Sequence, residues 1–513
     1  MTRLFSGTIH GHPCVKVTRS NADAPWEVPN ADYGRFAFNS DHEHAYVQHI
    51  RTASFNDYAY DGSEKFYNLD GSPSTNQLFR VFTGRPSLSM VDAKRLQILL
   101  DNSGLGFMPL AELRLRQADG QFRGPTYTWT ETWIGQLGIY QSRNAYSANG
   151  YPESSPAKQG GYTGRMVQVL NMQNAGERVV GAVWDLPADS TPLQGNGTVV
   201  PGQMMARFTN LHAQVARPGF DVRTATGRQF ILNSDRVPAK LIQSGETTVP
   251  AGGTETIPIT SPFPLTEEMY VDFLLANVGE QMCNPAMSFF GDFGTREFGF
   301  NYRLLSGPNR LVLYNTKNRA IVVRWMLLAD NSAGQTTGGS RVVYSTPDFV
   351  QIKRPGSSDI APGIKDVLLD TRLPTLRIVA EGYLPHATFT DAPTAIGYGE
   401  KAKLITFSNP GGRFRPFPKF VGIDGQGNMM EPLMVNFRIN TAEIDGGYWH
   451  GRANAYSLCA VVNDTSVRFH HSRDNPSVLR VSPGVPNPFA DPTYLPENQR
   501  LAGIRYYIFA LPN

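Results

Sequence analysis

Cysteine is nearly absent from this chain. Cys14, Cys283 and Cys459 are the 3 in 513 residues. They are odd in number and far apart, so neither a disulfide framework nor a zinc ribbon is indicated. Each is expected to be a small buried hydrophobe in a protein that folds in a reducing cytoplasm. Charge is scarce as well, at 18% of residues, and Lys+Arg 47 against Asp+Glu 44 leaves a net charge of +3 with no long run of one sign. That balance argues against nucleic acid or an anionic membrane as the main ligand. No apolar stretch approaches the roughly 18 residues of a membrane span, and the opening MTRLFSGTIHGHP has no apolar signal-peptide core. Neither membrane insertion nor ordinary secretion is expected.

The common marks of catalysis are missing too. There is no P-loop, no GxSxG elbow and no HExxH helix. Adjacent carboxylates such as Glu267 and Glu268 point to opposite faces of a strand and cannot work as an acid/base pair. The chain therefore reads as no enzyme, with no cofactor. A glycosidase that gathers distant Asp and Glu in space is the alternative that spacing leaves open.

What the sequence has is turn and strand chemistry. Gly 49 and Pro 37 punctuate a chain that is 41% hydrophobic and 11% aromatic, with Tyr and Phe favoured, a composition suited to short strands on half-buried pleated surfaces. At roughly 150 residues per domain the length suggests about three. The expectation is an all-β protein of three tandem β-sandwich-like domains, with short helices at most. Met90–Leu100 is the one stretch with amphipathic helical spacing, and a short apolar β pair is its alternative.

An internal repeat sets the boundaries. Residues 217–245 and 354–382 align without a gap, 137 apart (354 − 217). Arg-Pro-Gly opens both and Gly closes both. Between these ends Phe230-Ile231-Leu232-Asn233-Ser234 aligns with Val367-Leu368-Leu369-Asp370-Thr371. A looser third copy lies at 15–50, where Phe36-Ala37-Phe38-Asn39-Ser40-Asp41 echoes Phe230 to Asp235, although Thr18-Arg19-Ser20 replaces the Arg-Pro-Gly. Physically, a short β run ends in a Pro-Gly turn, and a second ends where Asn or Asp bonds back to the backbone. Val179–Leu186, Val322–Leu328 and Ile504–Leu511 read as the closing strand of each unit. The domains then fall at 1–205, 206–345 and 346–513. Arg310–Tyr314, the turn 315–318 and Ala320–Leu328 read as a β-hairpin.

The opener Arg-Pro-Gly-Phe-Asp-Val, then Phe-x-Leu-Asn-Ser-Asp and Leu-Ile-Gln-Ser-Gly, resembles the repeated opener of tail-tip and tail-fibre proteins from tailed phages of alphaproteobacteria and their relatives. Thr247–Ile259 is similar to the strand-turn-strand that often follows it. The resemblance covers about a quarter of the chain. It implies a virion protein of the tail, assembled in the host cytoplasm with other tail proteins and contributing to host attachment. It also implies a homo-oligomer, of which a trimer is the commonest fibre state. No catalytic residues come with it. A head decoration or head-spike protein, a cellular carbohydrate-binding module and a polysaccharide-degrading tailspike enzyme are the rivals.

Three stretches are candidate sites. Residues 118–165, inserted in the first domain, set Tyr127, Trp129, Trp133, Tyr140, Tyr146, Tyr151 and Tyr162 among Gly, Ser, Asn and Thr, the composition of binding loops. A host cell-surface glycan or protein, a neighbouring virion subunit, or a strand with aromatics in the core all fit that pattern. His42 and His44 form an HxH pair that, extended, shares one face and in a trimer would surround an axis with a metal ion; a solvated loop after a turn is the competing reading. Arg413–Phe420 alternates basic and aromatic residues, and Pro416 and Pro418 favour an edge strand over a nucleic-acid surface.

Overall fold

The computed structural model describes residues 3–45, 47–54, 65–67, 79–83, 94–99, 107, 109–116, 119–123, 132–135, 138–141, 166–172, 178–236, 238–267, 269–284, 288–289, 300–316, 318–329, 334–346, 348–391, 400–425, 429–430, 433–436, 442–445, 448–451, 457–472, 480–481 and 501–513. The protein is all-β: strands make up 53%, and among the described residues no helix reaches 7 residues.

The repeat is a three-stranded antiparallel sheet that occurs three times. Its strands are Arg3–Ile9, His12–Thr18 and Phe36–Asn39 in the first copy; Ala206–Phe208, Ala213–Ala216 and Phe230–Asn233 in the second; and Val343–Ser345, Val350–Lys353 and Val367–Asp370 in the third. Val17 pairs with Phe38, Val215 with Leu232 and Ile352 with Leu369, and the register slips by one residue at the next position in all three. The same bulge in each copy re-aims the strand end in the same way.

The expected turn chemistry is present in detail. Asn39 Oδ1 accepts from the Asp41 amide at 3.0 Å, Asn233 Oδ1 from Asp235 at 3.1 Å, and Asp370 Oδ1 from Arg372 at 3.0 Å. The next side chain closes the loop, since Ser40, Ser234 and Thr371 accept from the amides of Val15, Ala213 and Val350. A short polar side chain is thus required at both positions. The first copy is a true copy even where it lacks Arg-Pro-Gly. The Arg19 amide donates to Arg35 O as Arg217 does to Gln229 O and Arg354 to Asp366 O. In the second and third copies Gly219 (φ +84) and Gly356 (φ +78) take the left-handed position of the turn.

These three units meet. Val17 and Phe38, Val215 and Leu232, and Ile352 and Leu369 belong to one buried cluster. Beyond it the chain passes Ala45, Ala239 and Leu376, one equivalent position from each copy. The Ala45 amide donates to Leu376 O and the Ala239 amide to Ala45 O, both at 3.3 Å, while Lys240 bridges Thr375. A ring of backbone contacts between equivalent residues marks a pseudo-threefold axis inside a single chain.

Each copy then continues into a larger β unit built on one plan. Arg178–Pro187 lies between Val47–Ser54 and Pro109–Arg116, Ile321–Leu328 between Leu241–Val249 and Tyr270–Asn277, and Leu501–Pro512 between Arg377–Pro385 and Phe414–Asp424. The three closing strands read from the sequence thus have the same place in each unit. Sheets also run across the copies. Phe122–Arg123 pairs with Phe300–Ser306, and Met282–Asn284 with Ser457–Asn463. One large apolar core, containing Trp184, Trp325 and Phe509, joins all three.

Two local expectations are corrected. Asn309–Asn315 pairs with Phe300–Ser306 and Thr254–Pro258, and Ile321–Leu328 lies in another sheet, so 310–328 is a corner between sheets and not a hairpin. Asn315 fixes that corner by donating from Nδ2 to Pro250 O at 3.0 Å and Arg319 O at 2.6 Å. Within Met90–Leu100 the described part, Lys94–Leu99, is a strand paired on both sides by Phe79–Thr83 and Met166–Met172. Two pairing partners outweigh the helical spacing.

Lys240, beside the axis, has no hydrogen-bond partner for Nζ among the described residues. Burial, then the neighbouring Arg354 guanidinium, pushes its ammonium down to about 7. A folded value below the unfolded one means that the charged form opposes folding. The penalty is full below about pH 7, shrinks as pH rises, and vanishes above the ordinary lysine value of 10.5. Lys240→Met is therefore expected to stabilise the protein by roughly 2–4 kcal/mol at pH 6 and by almost nothing above pH 10.5. Urea midpoints of the two proteins across that range check it.

Candidate functional site

The axis carries a second meeting of equivalent residues, deep in the core. On the closing strands Ala182 faces Glu112, Met326 faces Asp272 and Tyr507 faces Lys419 across the register. These three polar positions converge. Lys419 Nζ donates to Glu112 Oε2 at 2.5 Å and also to Asp272 Oδ2. Glu112 Oε2 further accepts from Tyr270 OH at 2.8 Å and from Trp184 Nε1 at 3.2 Å. The Lys419 ammonium sits 5.0 Å from the Trp184 ring centre, and Lys419 is 2% exposed. Two carboxylates and one ammonium are thus held among aromatic walls in the core.

Another charged network joins the first copy to the second. Glu43 accepts from Arg217 Nη2 and, at 2.7 Å, from Arg228 Nη2. Asp185 pairs with Arg236 at 2.7 Å. Burial pushes the Asp185 carboxyl up, against the pull of Arg236 and Arg228.

The histidine pair lies inside the protein, where a solvated loop was the competing expectation. His42 is 6% and His44 4% exposed. Each Nε2 bonds a backbone carbonyl, Asn30 O at 2.6 Å and Asn39 O at 3.0 Å. A carbonyl only accepts, so Nε2 carries the proton in both rings. The His44 ring stacks on Phe38 with centroids 5.0 Å apart. Burial, then the Arg377 charge, pushes His42 down to about 2 and His44 to about 3. The positions equivalent to these histidines in the third copy are Leu373 and Thr375, so the internal threefold does not repeat the motif. Among the described residues no group of three or more His, Cys, Asp or Glu is arranged to hold a metal.

Of the aromatic run, Tyr127, Trp129, Tyr146, Tyr151 and Tyr162 lie outside the described residues. Trp133 and Tyr140 are described in the backbone, opposite one another in a hairpin of Thr132–Gly135 and Gly138–Gln141. That hairpin is one edge of a five-stranded sheet completed by Arg480–Val481, Tyr448–Gly451 and Ala442–Asp445 from the third copy. Tyr140, Trp133, Arg480, His450 and Glu443 form one row of the register, and Ile134, Val481, Trp449 and Ile444 share the next. Sequence reading singled out Trp133 and Tyr140 but missed Tyr448 and Trp449, which lie more than 300 residues away (448 − 140). The signal was there in Tyr448-Trp449-His450, a short aromatic cluster between glycines.

The basic-aromatic stretch falls in Phe414–Asp424. That strand pairs along its length with Leu501–Pro512 and, among the described residues, on its other side only at Gly422 and Ile423, with Met429–Met430. Its prolines therefore sit on an edge, as expected. Phe417 and Phe420 face the core. Cys14, Cys283 and Cys459 are free and buried, and burial pushes the Cys14 thiol up to about 11. No protein-family model, no curated protein and no solved structure matches the chain.

Proposed function

We propose that the chain is a non-enzymatic structural protein of a phage tail tip or fibre, a virion component that presents a threefold platform from a single polypeptide. The observation that carries this reading is the ring of contacts between Ala45, Ala239 and Leu376, with the convergence of Glu112, Asp272 and Lys419 beneath it. A body with three similar faces around an axis docks coaxially on the threefold or sixfold objects from which virions are built. Other tail proteins are then its partners. A homo-oligomer of the whole chain would multiply the platform rather than create it. The turn and strand chemistry that resembles tail openers supports the same reading. Glu112 and Asp272, engaged by Lys419 in the core, do not form the open carboxylate pair of a tailspike glycosidase.

The five-stranded sheet, on the face that Trp133, Tyr140 and Tyr448 share by register, is the surface proposed to touch a host cell-surface glycan. By register, the aromatic positions of that face share it with Arg480, His450 and Glu443, and aromatic and charged residues together suit sugar rings and their hydroxyls. Purified protein added to host cells before infection is expected to block phage adsorption in a saturable way. Loss of each aromatic anchor costs about 2 kcal/mol, about 30-fold in affinity, so Trp133→Ala combined with Tyr448→Ala is expected to abolish blocking at the same concentration. Failure of the folded parent protein to block would assign this sheet to an interface within the virion.

A further inference from the structure

The buried triad holds the parts of an amide-forming site. We propose that Lys419 and Asp272 become joined by an intramolecular isopeptide bond, from Nζ to Cγ, with Glu112 as the proton shuttle. The bond ties the second repeat to the third inside the core.

Three observations carry this. First, Nζ of Lys419 is in hydrogen-bond contact with the Asp272 carboxylate, which puts the nitrogen within the about 3–3.5 Å approach to the carbonyl carbon that defines a near-attack geometry. Second, the pair is enclosed. Lys419 is 2% and Asp272 6% exposed, and Trp184 and Tyr270 wall the ammonium. In that setting, moving the proton from ammonium to carboxylate leaves two neutral groups, an amine nucleophile and a carboxylic acid, where charges are costly. Third, a second carboxylate touches the same nitrogen. Glu112 is held by Tyr270 OH and Trp184 Nε1, so it is oriented without help from Lys419.

The step balances without an outside reagent. The Nζ lone pair attacks Cγ of the Asp272 acid while Glu112 takes a proton from nitrogen. Glu112 then returns that proton to the leaving hydroxyl, the C–O bond breaks and one water departs. An amine and an acid become an amide, and nothing is oxidised or reduced. An ion pair between Lys419 and Asp272 keeps two desolvated charges in the core, which burial penalises. Condensation removes one charge of each sign and leaves Glu112 with its two neutral donors.

The mass of the denatured full-length chain tests it. The expected result is one water less than the sequence requires, with a branched proteolytic peptide joining the stretch around Asp272 to that around Lys419. Glu112→Gln is expected to restore the full mass and abolish the branched peptide while keeping the β far-UV spectrum. Full mass with no branched peptide in the parent protein overturns the proposal, and so does a water loss that maps elsewhere, such as an Asp-Gly succinimide. A branched peptide that persists in Glu112→Gln overturns the shuttle role. Should that variant not fold, the parent mass and peptide map still decide.

Discussion

Lys419→Met is expected to lower the stability of the protein by about 3–5 kcal/mol, because it removes the ammonium that bridges the buried Asp272 and the part-buried Glu112 carboxylates. Of the neutral donors around them, Tyr270 OH and Trp184 Nε1 serve Glu112 and the Phe273 amide serves Asp272 Oδ1. The loss is the cost of stranding charge and not the worth of the ion pairs. A variant with all three positions made apolar, Glu112→Leu, Asp272→Leu and Lys419→Met, is therefore expected to recover most of it, since well-packed apolar groups replace buried ion clusters at little or no net cost. Denaturant midpoints of the two variants and the parent decide the matter. If the triple variant is as unstable as Lys419→Met, the cluster does not act electrostatically. The triple variant restores the charge balance but has no site for a cross-link, so its shortfall from the parent reports the covalent bond.

The β class and the repeat were legible because they rest on local chemistry. A turn closed by Asn39, Asn233 or Asp370, followed by Ser or Thr, needs short polar side chains at two fixed positions, and such demands survive in sequence when core residues drift. The hairpin at 310–328 was misread for the opposite reason. Two apolar runs with a polar turn between them look the same whether the second strand folds back on the first or crosses to another sheet, and only the partners of Asn315 tell the cases apart. The triad was not legible at all. Glu112, Asp272 and Lys419 each read as an ordinary charged residue, and nothing local brings together positions 160 and 147 residues apart (272 − 112, 419 − 272). A faint signal was Asp272 within Tyr270–Asn277, a strand otherwise apolar up to its last residue. The aromatic surface was half legible, as Trp133 and Tyr140 stand in a dense run, whereas Tyr448 and Trp449 join them only through strand pairing across copies.

Glu43→Ala is expected to destabilise the protein by about 3–5 kcal/mol as well, and to loosen one seam before the others. The variant removes a carboxylate that two guanidinium groups share. Arg217 and Arg228 both reach Glu43, with side chains only 7% and 9% exposed. Arg228 keeps the Asp185 backbone carbonyl and, at 3.9 Å, the Asp185 carboxylate, whereas among the described residues Arg217 keeps only Arg228 O at 2.8 Å. Glu43→Gln retains an acceptor without the charge and is expected to lose about half as much. Hydrogen exchange locates the effect. Amides of His12–Thr18 and Ala213–Ala216 should gain exchange first in Glu43→Ala, while those of Val350–Lys353 follow only global opening. Uniform loss across the three sheets would mean that the seam has no independent stability. The equivalent position in the third copy is Pro374, so this network cannot form there. Three similar units around an axis could pack in either order, and a charged seam that only the first and second copies can make is what distinguishes the native arrangement from its alternative.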